Sequence, residues 1–175
     1  MEKCVAIIPA RLNSKRIPKK NIKKFYGKPI VQYSIESALN TNIFSEIMVS
    51  TDSEEIADFS IECGASVPFL RTSRTSDDYA SLIDVILEVI ENYKNNGREF
   101  EYFCCILATA PFISPSNIKK AFNFLLEKNY DTVFCIQRYG YPIQRALRFK
   151  DDRICMLNKE NYFKRSQDLE TMYHD

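Results

Sequence analysis

The chain has 175 residues, with 24 Lys and Arg against 23 Asp and Glu, one His, 45% hydrophobic residues and 27% charged residues. This length and balance fit a single soluble domain with a sizeable core and exclude a disordered chain. A net charge of +1 excludes a whole-surface electrostatic grip on nucleic acid or membrane, and no apolar run approaches the roughly 20 residues of a membrane span.

The start is not expected to be a secretion signal, because its apolar stretch is short and runs straight into Pro9 and a basic loop. Residues 4–8 form a continuous apolar run, the pattern of a strand buried on both faces. Val31, Ile35, Ala38 and Leu39 trace one helical stripe that ends at residues 40–42. Residues 47–49 predict a short strand. Residues 50–53 then supply caps for a helix carrying Ile56, Phe59 and Ile61, with Asp52 read as a helix N-terminal residue and Gly64 as the stop. Residues 67–70 read as extended. Leu82, Ile86, Val89, Ile90 and Tyr93 mark a further helix closed by Asn95, Asn96 and Gly97.

A strand is expected over 102–107. A helix opening at Ser114, Pro115 and Ser116 carries Ile118, Ala121, Phe122 and Leu125, and a buried strand is expected over 132–136. This alternation predicts an α/β fold, a mostly parallel sheet with helices on both sides. Beyond residue 138 neither period persists, so residues 1–138 read as the α/β domain and 139–175 as an extended excursion containing a hairpin. Of the six cysteines, Cys4, Cys104, Cys105 and Cys135 fall in predicted strands. With Cys63 and Cys155 they read as reduced core residues of a cytoplasmic protein. No C-x-x-C pair or zinc spacing occurs, and His174 alone cannot build a triad or a zinc site.

Charge is distributed unevenly. Residues 11–28 hold eight basic side chains and no acid, and the other 157 residues hold 16 basic and 23 acidic ones. In an open α/β sheet, ligands bind beyond the carboxyl ends of the strands. A cationic loop after the first strand therefore suits a polyanion such as a nucleoside triphosphate. The four glycines are Gly27, Gly64, Gly97 and Gly140, so neither a G-x-G-x-x-G fingerprint nor a Walker A loop exists here. Side chains, rather than close-approaching backbone, must hold the phosphates.

Within this loop Ala10, Arg11, Ser14, Lys15, Pro18, Lys20 and Asn21 match every fixed position of A-R-x-x-S-K-x-x-P-x-K-N, and the chain resembles the CMP-sialic-acid synthetase family. The resemblance continues through Val49 to Asp52, through Arg71 with Ser76, Asp77 and Asp78, and through Thr109, Ala110 and Pro111. Residues 141–146, 166–169 and 173–175 resemble the pseudaminic acid cytidylyltransferase branch.

The resemblance implies a Rossmann-like three-layer α/β/α nucleotidyltransferase fold with a dimerisation excursion. It also implies a reaction of CTP with a nonulosonic acid to give the CMP-sugar and pyrophosphate, for surface glycan or flagellin glycosylation. Arg11, Lys15 and Lys20 are implied as the triphosphate-holding, catalytic positions. Asn13, Ser14, Asn21, Arg71 and Thr109 complete the nucleotide site, with Asn21 toward the base. Sialic-acid members place a Gln where Ala108 stands, so Thr109 or backbone groups must read the base. Gln144, Arg145, Arg165 and Gln167 are the candidate sugar contacts, the arginines because guanidinium forks match carboxylate.

The family pattern continues past residue 175, where its Mg²⁺-binding aspartates are expected, so this form is expected to bind nucleotide weakly and to turn over poorly. A homodimer is implied, without nucleic acid or membrane partners. Competing readings are the same reaction on N-acetylneuraminic or legionaminic acid, and a silent nucleotide-binding module. RNA binding lacks support, because no aromatic residue is interleaved between Arg11 and Lys24.

Overall fold

The computed structural model describes residues 4–12, 14, 17–77 and 79–175. Asn13, Lys15, Arg16 and Asp78 lie outside the described residues, so the expectations placed on them have no structural account. The chain divides into two compact units, Met1–Asn123 and Phe124–Asp175.

In the first unit the apolar run becomes β1 (Cys4–Pro9). The basic loop follows, with a 3-10 turn at Lys20–Ile22 and a tight hairpin of β2 (Lys24–Phe25) and β3 (Lys28–Pro29). Tyr26 and Gly27 turn this hairpin with φ of +45° and +87°, the left-handed pair that a two-residue turn requires. Then come α1 (Ile30–Leu39), β4 (Glu46–Ser50), α2 (Glu54–Glu62), the single turn α3 (Ser73–Ser76), α4 (Leu82–Asn95), β5 (Tyr102–Cys105) and α5 (Pro115–Lys128), whose residues from Phe124 onward belong to the second unit.

The sheet order is β4-β1-β5, and both pairings are parallel. Alternation along β1 divides the core. Ala6 and Ile8 pack with Val31, Ile35 and Ala38 of α1, Ile56 of α2 and Ile118 of α5. Val5 and Ile7 pack on the other face with Val89 and Tyr93 of α4. The result is the expected three-layer α/β/α arrangement, with the central strand buried on both faces.

Helix ends follow the sequence signals. Ser53 Oγ accepts from Ile56 N at the start of α2, and Ser81 with Asp84 forms a capping box on α4. Gly64 and Gly97 take φ of +91° and +72° beyond α2 and α4. Ile61 departs from the predicted stripe and is exposed. Five residues beyond Ile56, it is rotated about 140° from it around the helix.

Two expected strands do not form. Residues 67–70 remain irregular, although Ser66 makes a parallel bridge to Met48 beside β4. Residues 132–136 are irregular and mostly exposed, so Cys135 is an exposed thiol rather than a core residue. An apolar run gives only the potential for a strand, and a backbone partner must be present to realise it. Among the described residues Cys4 alone of the six cysteines is fully buried, and all six are free thiols.

Glu46 opens β4 and ties this end of the unit together. Its carboxylate accepts from Ser66 Oγ at 2.6 Å, Tyr93 OH at 2.9 Å and Arg98 Nη2 at 2.5 Å. Burial pushes its pKa up, but these donors and the Arg98 charge outweigh burial and hold it below the ordinary glutamate value. A carboxyl depressed in the fold contributes stability above its unfolded pKa and loses it as pH falls through the folded value. Urea unfolding should therefore show stability declining below about pH 4.5, near the unperturbed Glu value. Glu46→Gln should have a lower neutral plateau and a shallower acid decline; an unchanged acid slope in that variant would contradict the assignment.

The second unit contains β6 (Gln137–Arg138), a 3-10 turn at Ile143–Arg145, β7 (Leu147–Lys150), β8 (Arg153–Met156), 3-10 turns at Lys159–Asn161 and Ser166–Asp168, and β9 (Tyr173–His174). β6 pairs antiparallel with β9, and β7 with β8. Asp151 and Asp152 turn the β7–β8 hairpin with φ of +51° and +55°. No helix among the described residues is long and apolar enough to cross a membrane.

Candidate functional site

The carboxyl ends of β1 and β4 lie side by side, and the pairing continues past the strands because Ala10 N donates to Ser50 O at 2.9 Å. The basic loop leaves from this point and is braced at two successive residues. Asn21, which is buried, donates its amide to Arg11 O at 2.8 Å, and Asp52 Oδ1 accepts from Leu12 N at 3.0 Å. Asp52 is therefore a loop anchor, and the helix cap belongs to Ser53. The expectation that Asp52 serves the helix end is corrected on this geometry. Asn21, expected toward the base, has its amide nitrogen engaged in the same bracing.

Arg71 reaches the same strand ends. Its Nε donates to Ser50 Oγ at 3.1 Å, Nη2 to Ser50 O at 2.6 Å and Nη1 to Thr75 O at 3.4 Å. Its own N–H donates to Thr51 O at 2.8 Å. Burial pulls the guanidinium below the ordinary arginine value, and the like charge of Arg11 acts in the same direction, against the carboxylates of Asp52 and Glu88. Arg11 Nη1 donates to Asp77 O at 2.8 Å. The structure thus brings Arg11 and Arg71 to one place, where two cations share a partly buried environment suited to an anion.

Ser14 and Lys20 are half-buried on the same loop, Lys20 opening the 3-10 turn. Other cations of the run are taken up elsewhere. Lys19 pairs with Glu55 of α2 and Lys28 with Glu36 of α1, each at 2.8 Å. These two pairs are exposed, and such pairs contribute little.

Thr109 lies half-buried in the turn after β5, the third parallel strand. Two serines of α1 hold this turn, Ser34 Oγ donating to Leu107 O and Ser37 Oγ to Ile113 O, both at 2.8 Å. Phe25 packs edge-on against Phe112, joining the hairpin that ends the basic loop to the same turn. Ala108 is buried in the core, so its methyl group serves packing, and a base-reading side chain at that point would have to leave the core.

The resemblance also implies Mg²⁺. Among the described residues no three His, Cys, Asp or Glu side chains group as ligands. The acids bordering the site are engaged, Asp52 by Leu12 N and Asp77 Oδ1 by Tyr79 N and Ala80 N. The described acids of the site therefore form no ligand set for the ion.

The four candidate sugar residues all lie in the second unit. Gln144 donates Nε2 to Glu170 O at 2.8 Å, while its Oε1 is buried without a partner. Arg145 Nη1 donates to Lys164 O at 2.7 Å. Arg165 forms a two-pronged pair with Asp168, with Nε to Oδ2 at 2.7 Å and Nη2 to Oδ1 at 3.0 Å. Gln167 is exposed in the turn Ser166–Asp168.

Sequence reasoning missed Glu88 and Thr75. Glu88 accepts from Thr72 N and Thr75 Oγ1, which fastens the segment after Arg71 to α4. No signal in the sequence separated Glu88 from the other charged residues of that helix.

The cytidylyltransferase family matches residues 5–172. The chain is 41% identical over 174 residues to a pseudaminic acid cytidylyltransferase of Campylobacter jejuni, covering 99% of this chain and 75% of that protein. It is 37% identical over 117 residues to a CMP-N,N'-diacetyllegionaminic acid synthase of Legionella pneumophila, covering 67% of this chain and 50% of that protein. The fold is similar to a CMP:2-keto-3-deoxy-manno-octonic acid synthetase complexed with CTP, at a TM-score of 0.60 and 24% identity over 77% of this chain and 51% of that one.

Proposed function

Because the chain belongs to the cytidylyltransferase family, we propose that it joins CTP to a nonulosonic acid, pseudaminic acid first among them, giving the CMP-sugar and pyrophosphate. The observation that carries this reading is the pair Arg11 and Arg71, held together at the carboxyl ends of β1 and β4. The identity to the Campylobacter protein over nearly the whole chain supports the choice of sugar.

In the reaction the anomeric hydroxyl oxygen of the sugar acid attacks the α-phosphorus of CTP. The bond from that phosphorus to the bridging oxygen breaks, pyrophosphate leaves with the electron pair, and the proton of the attacking hydroxyl passes to water. Negative charge spreads over the phosphoryl oxygens, so fixed cations lower the barrier. In this reading Arg11 and Lys20 hold the triphosphate, Lys15 shares that task, Asn13 and Ser14 add donors, and Arg71 and Thr109 complete the nucleotide site with Asn21 bracing it. Gln144, Arg145, Arg165 and Gln167 serve the sugar acid. Its carboxylate would exchange for the Asp168 partner of Arg165, a replacement of one carboxylate by another.

Residues 1–138 are then the nucleotide-binding domain and 139–175 the sugar-binding and dimerisation excursion. A homodimer is supported by the β7–β8 hairpin. Its register sets Leu147 opposite Met156 and Phe149 opposite Ile154 on one face, and Phe149 is 73% exposed. A lone two-stranded hairpin is marginal in water, and a second copy would cover this face. The six free thiols support a cytoplasmic location.

The test combines thermal shift with CTP, ATP and a short RNA with pyrophosphate release from CTP and a panel of nonulosonic acids. Stabilisation by CTP above ATP, with no response to RNA, is expected, and turnover should be greatest with pseudaminic acid. Greatest turnover with legionaminic acid would move the assignment to the second sugar, which the Legionella relative favours. Stabilisation by RNA alone would overturn the reading.

A further inference from the structure

The face that α4 turns to the core carries Val85, Val89 and Tyr93, and among them stands Glu88, only 6% exposed. A buried carboxylate is costly unless its oxygens are bonded, and an apolar residue would suit this helix face at lower cost. Both oxygens of Glu88 are in use. Oε1 accepts from Thr72 N at 2.9 Å, and Oε2 accepts from Thr75 Oγ1.

The segment fastened in this way runs from Thr72 to Asp77, and two of its carbonyl oxygens hold the site's guanidinium groups. Thr75 O accepts from Arg71, and Asp77 O accepts from Arg11. α3 is a single turn with no side-chain bond at its N-cap, so Glu88 supplies a fixing that the segment's own capping does not. The Glu88 charge also acts on Arg71 directly, since each lies in the other's electrostatic field.

We infer that Glu88 is a positioning residue for the nucleotide site: by clamping residues 72–77 to α4 it fixes Arg71 and Arg11 for the phosphates without touching them. The inference rests on the reading that these arginines grip CTP. Replacing the carboxylate therefore loosens the grip while the core stays packed. Glu88→Gln is nearly isosteric and its carbonyl still accepts from Thr72 N, but the charge is lost and the Thr75 bond reverses, the amide donating to Thr75 Oγ1 in a weaker neutral contact.

A double-substitution cycle on the full chain tests this, with CTP affinity read by calorimetry and unfolding midpoints recorded for each variant. Glu88→Gln should weaken CTP by about tenfold in the parent chain and by less than about threefold in the Arg71→Ala background, the non-additivity expected of residues acting as a unit. If Glu88→Gln does not fold, Glu88→Asp, which keeps the charge but cannot span both threonines, enters the same comparison. Weakening by Arg71→Ala with no effect of the Glu88 substitution overturns the inference. An equal effect in both backgrounds also overturns it, because the substitution then acts elsewhere. Unchanged CTP affinity in Arg71→Ala removes the underlying reading instead.

Discussion

Arg11→Ala weakens CTP binding by about 10- to 100-fold, the range expected when a charge-assisted contact worth about 1.5–3 kcal/mol is removed. The residue follows Ala10 at the end of the central strand, and its guanidinium donates to the backbone carbonyl of Asp77. Truncation leaves that carbonyl at the exposed rim, where water takes over, and Asn21 still braces the main chain at Arg11 O. The unfolding midpoint therefore moves by no more than a few degrees, consistent with a surface substitution of small stability effect. CMP, which has no β- and γ-phosphates, provides the internal control. Its affinity should fall less than that of CTP, so the ratio between the two narrows. Calorimetry with both nucleotides measures this directly. A CTP affinity within twofold of the parent would mean that the basic loop does not hold the tail.

The largest expected effect on stability is at Ile8. Its side chain is fully buried on the face of β1 that packs against Val31, Ile35, Ile56 and Ile106. Ile8→Ala leaves a cavity in the middle of three layers and should cost about 2–5 kcal/mol. For a chain of this size that corresponds to a midpoint lowered by roughly 5–15 °C. Ile61→Ala on exposed α2 surface should change stability by less than about 0.5 kcal/mol. Chemical denaturation of the two variants side by side gives the comparison. Equal losses would contradict the assignment of the core to the faces of β1.

Elements whose signals are local were readable from residue order. The buried central strand, α1, α2, α4 and α5, and the glycine stops at Gly64 and Gly97 each follow from periodicity, capping or backbone freedom within a few residues. The basic loop was readable as a charge asymmetry, and its position followed from the rule for strand ends. Features that depend on a distant partner were not readable. Residues 132–136 have strand composition but no pairing, and Cys135 is exposed as a result. Asp52 resembles a cap in sequence, yet its acceptor oxygen is used 40 residues away by Leu12 N. Glu88 in sequence is one more charge on a helix, and only packing shows it bonded to Thr72 and Thr75. The pairing of Lys19 and Lys28 with acids on α2 and α1 likewise removes two of the eight cations from a count that treated them alike.

The most direct measurement is a crystal structure of the chain grown with CTP. Phosphate oxygens should lie within hydrogen-bond reach of Arg11 and Lys20, about 2.7–2.9 Å, with Arg71 beside them and Glu88 still holding Thr72. A triphosphate lodged away from the carboxyl ends of β1 and β4, with Arg11 still bonded only to protein, would contradict the account.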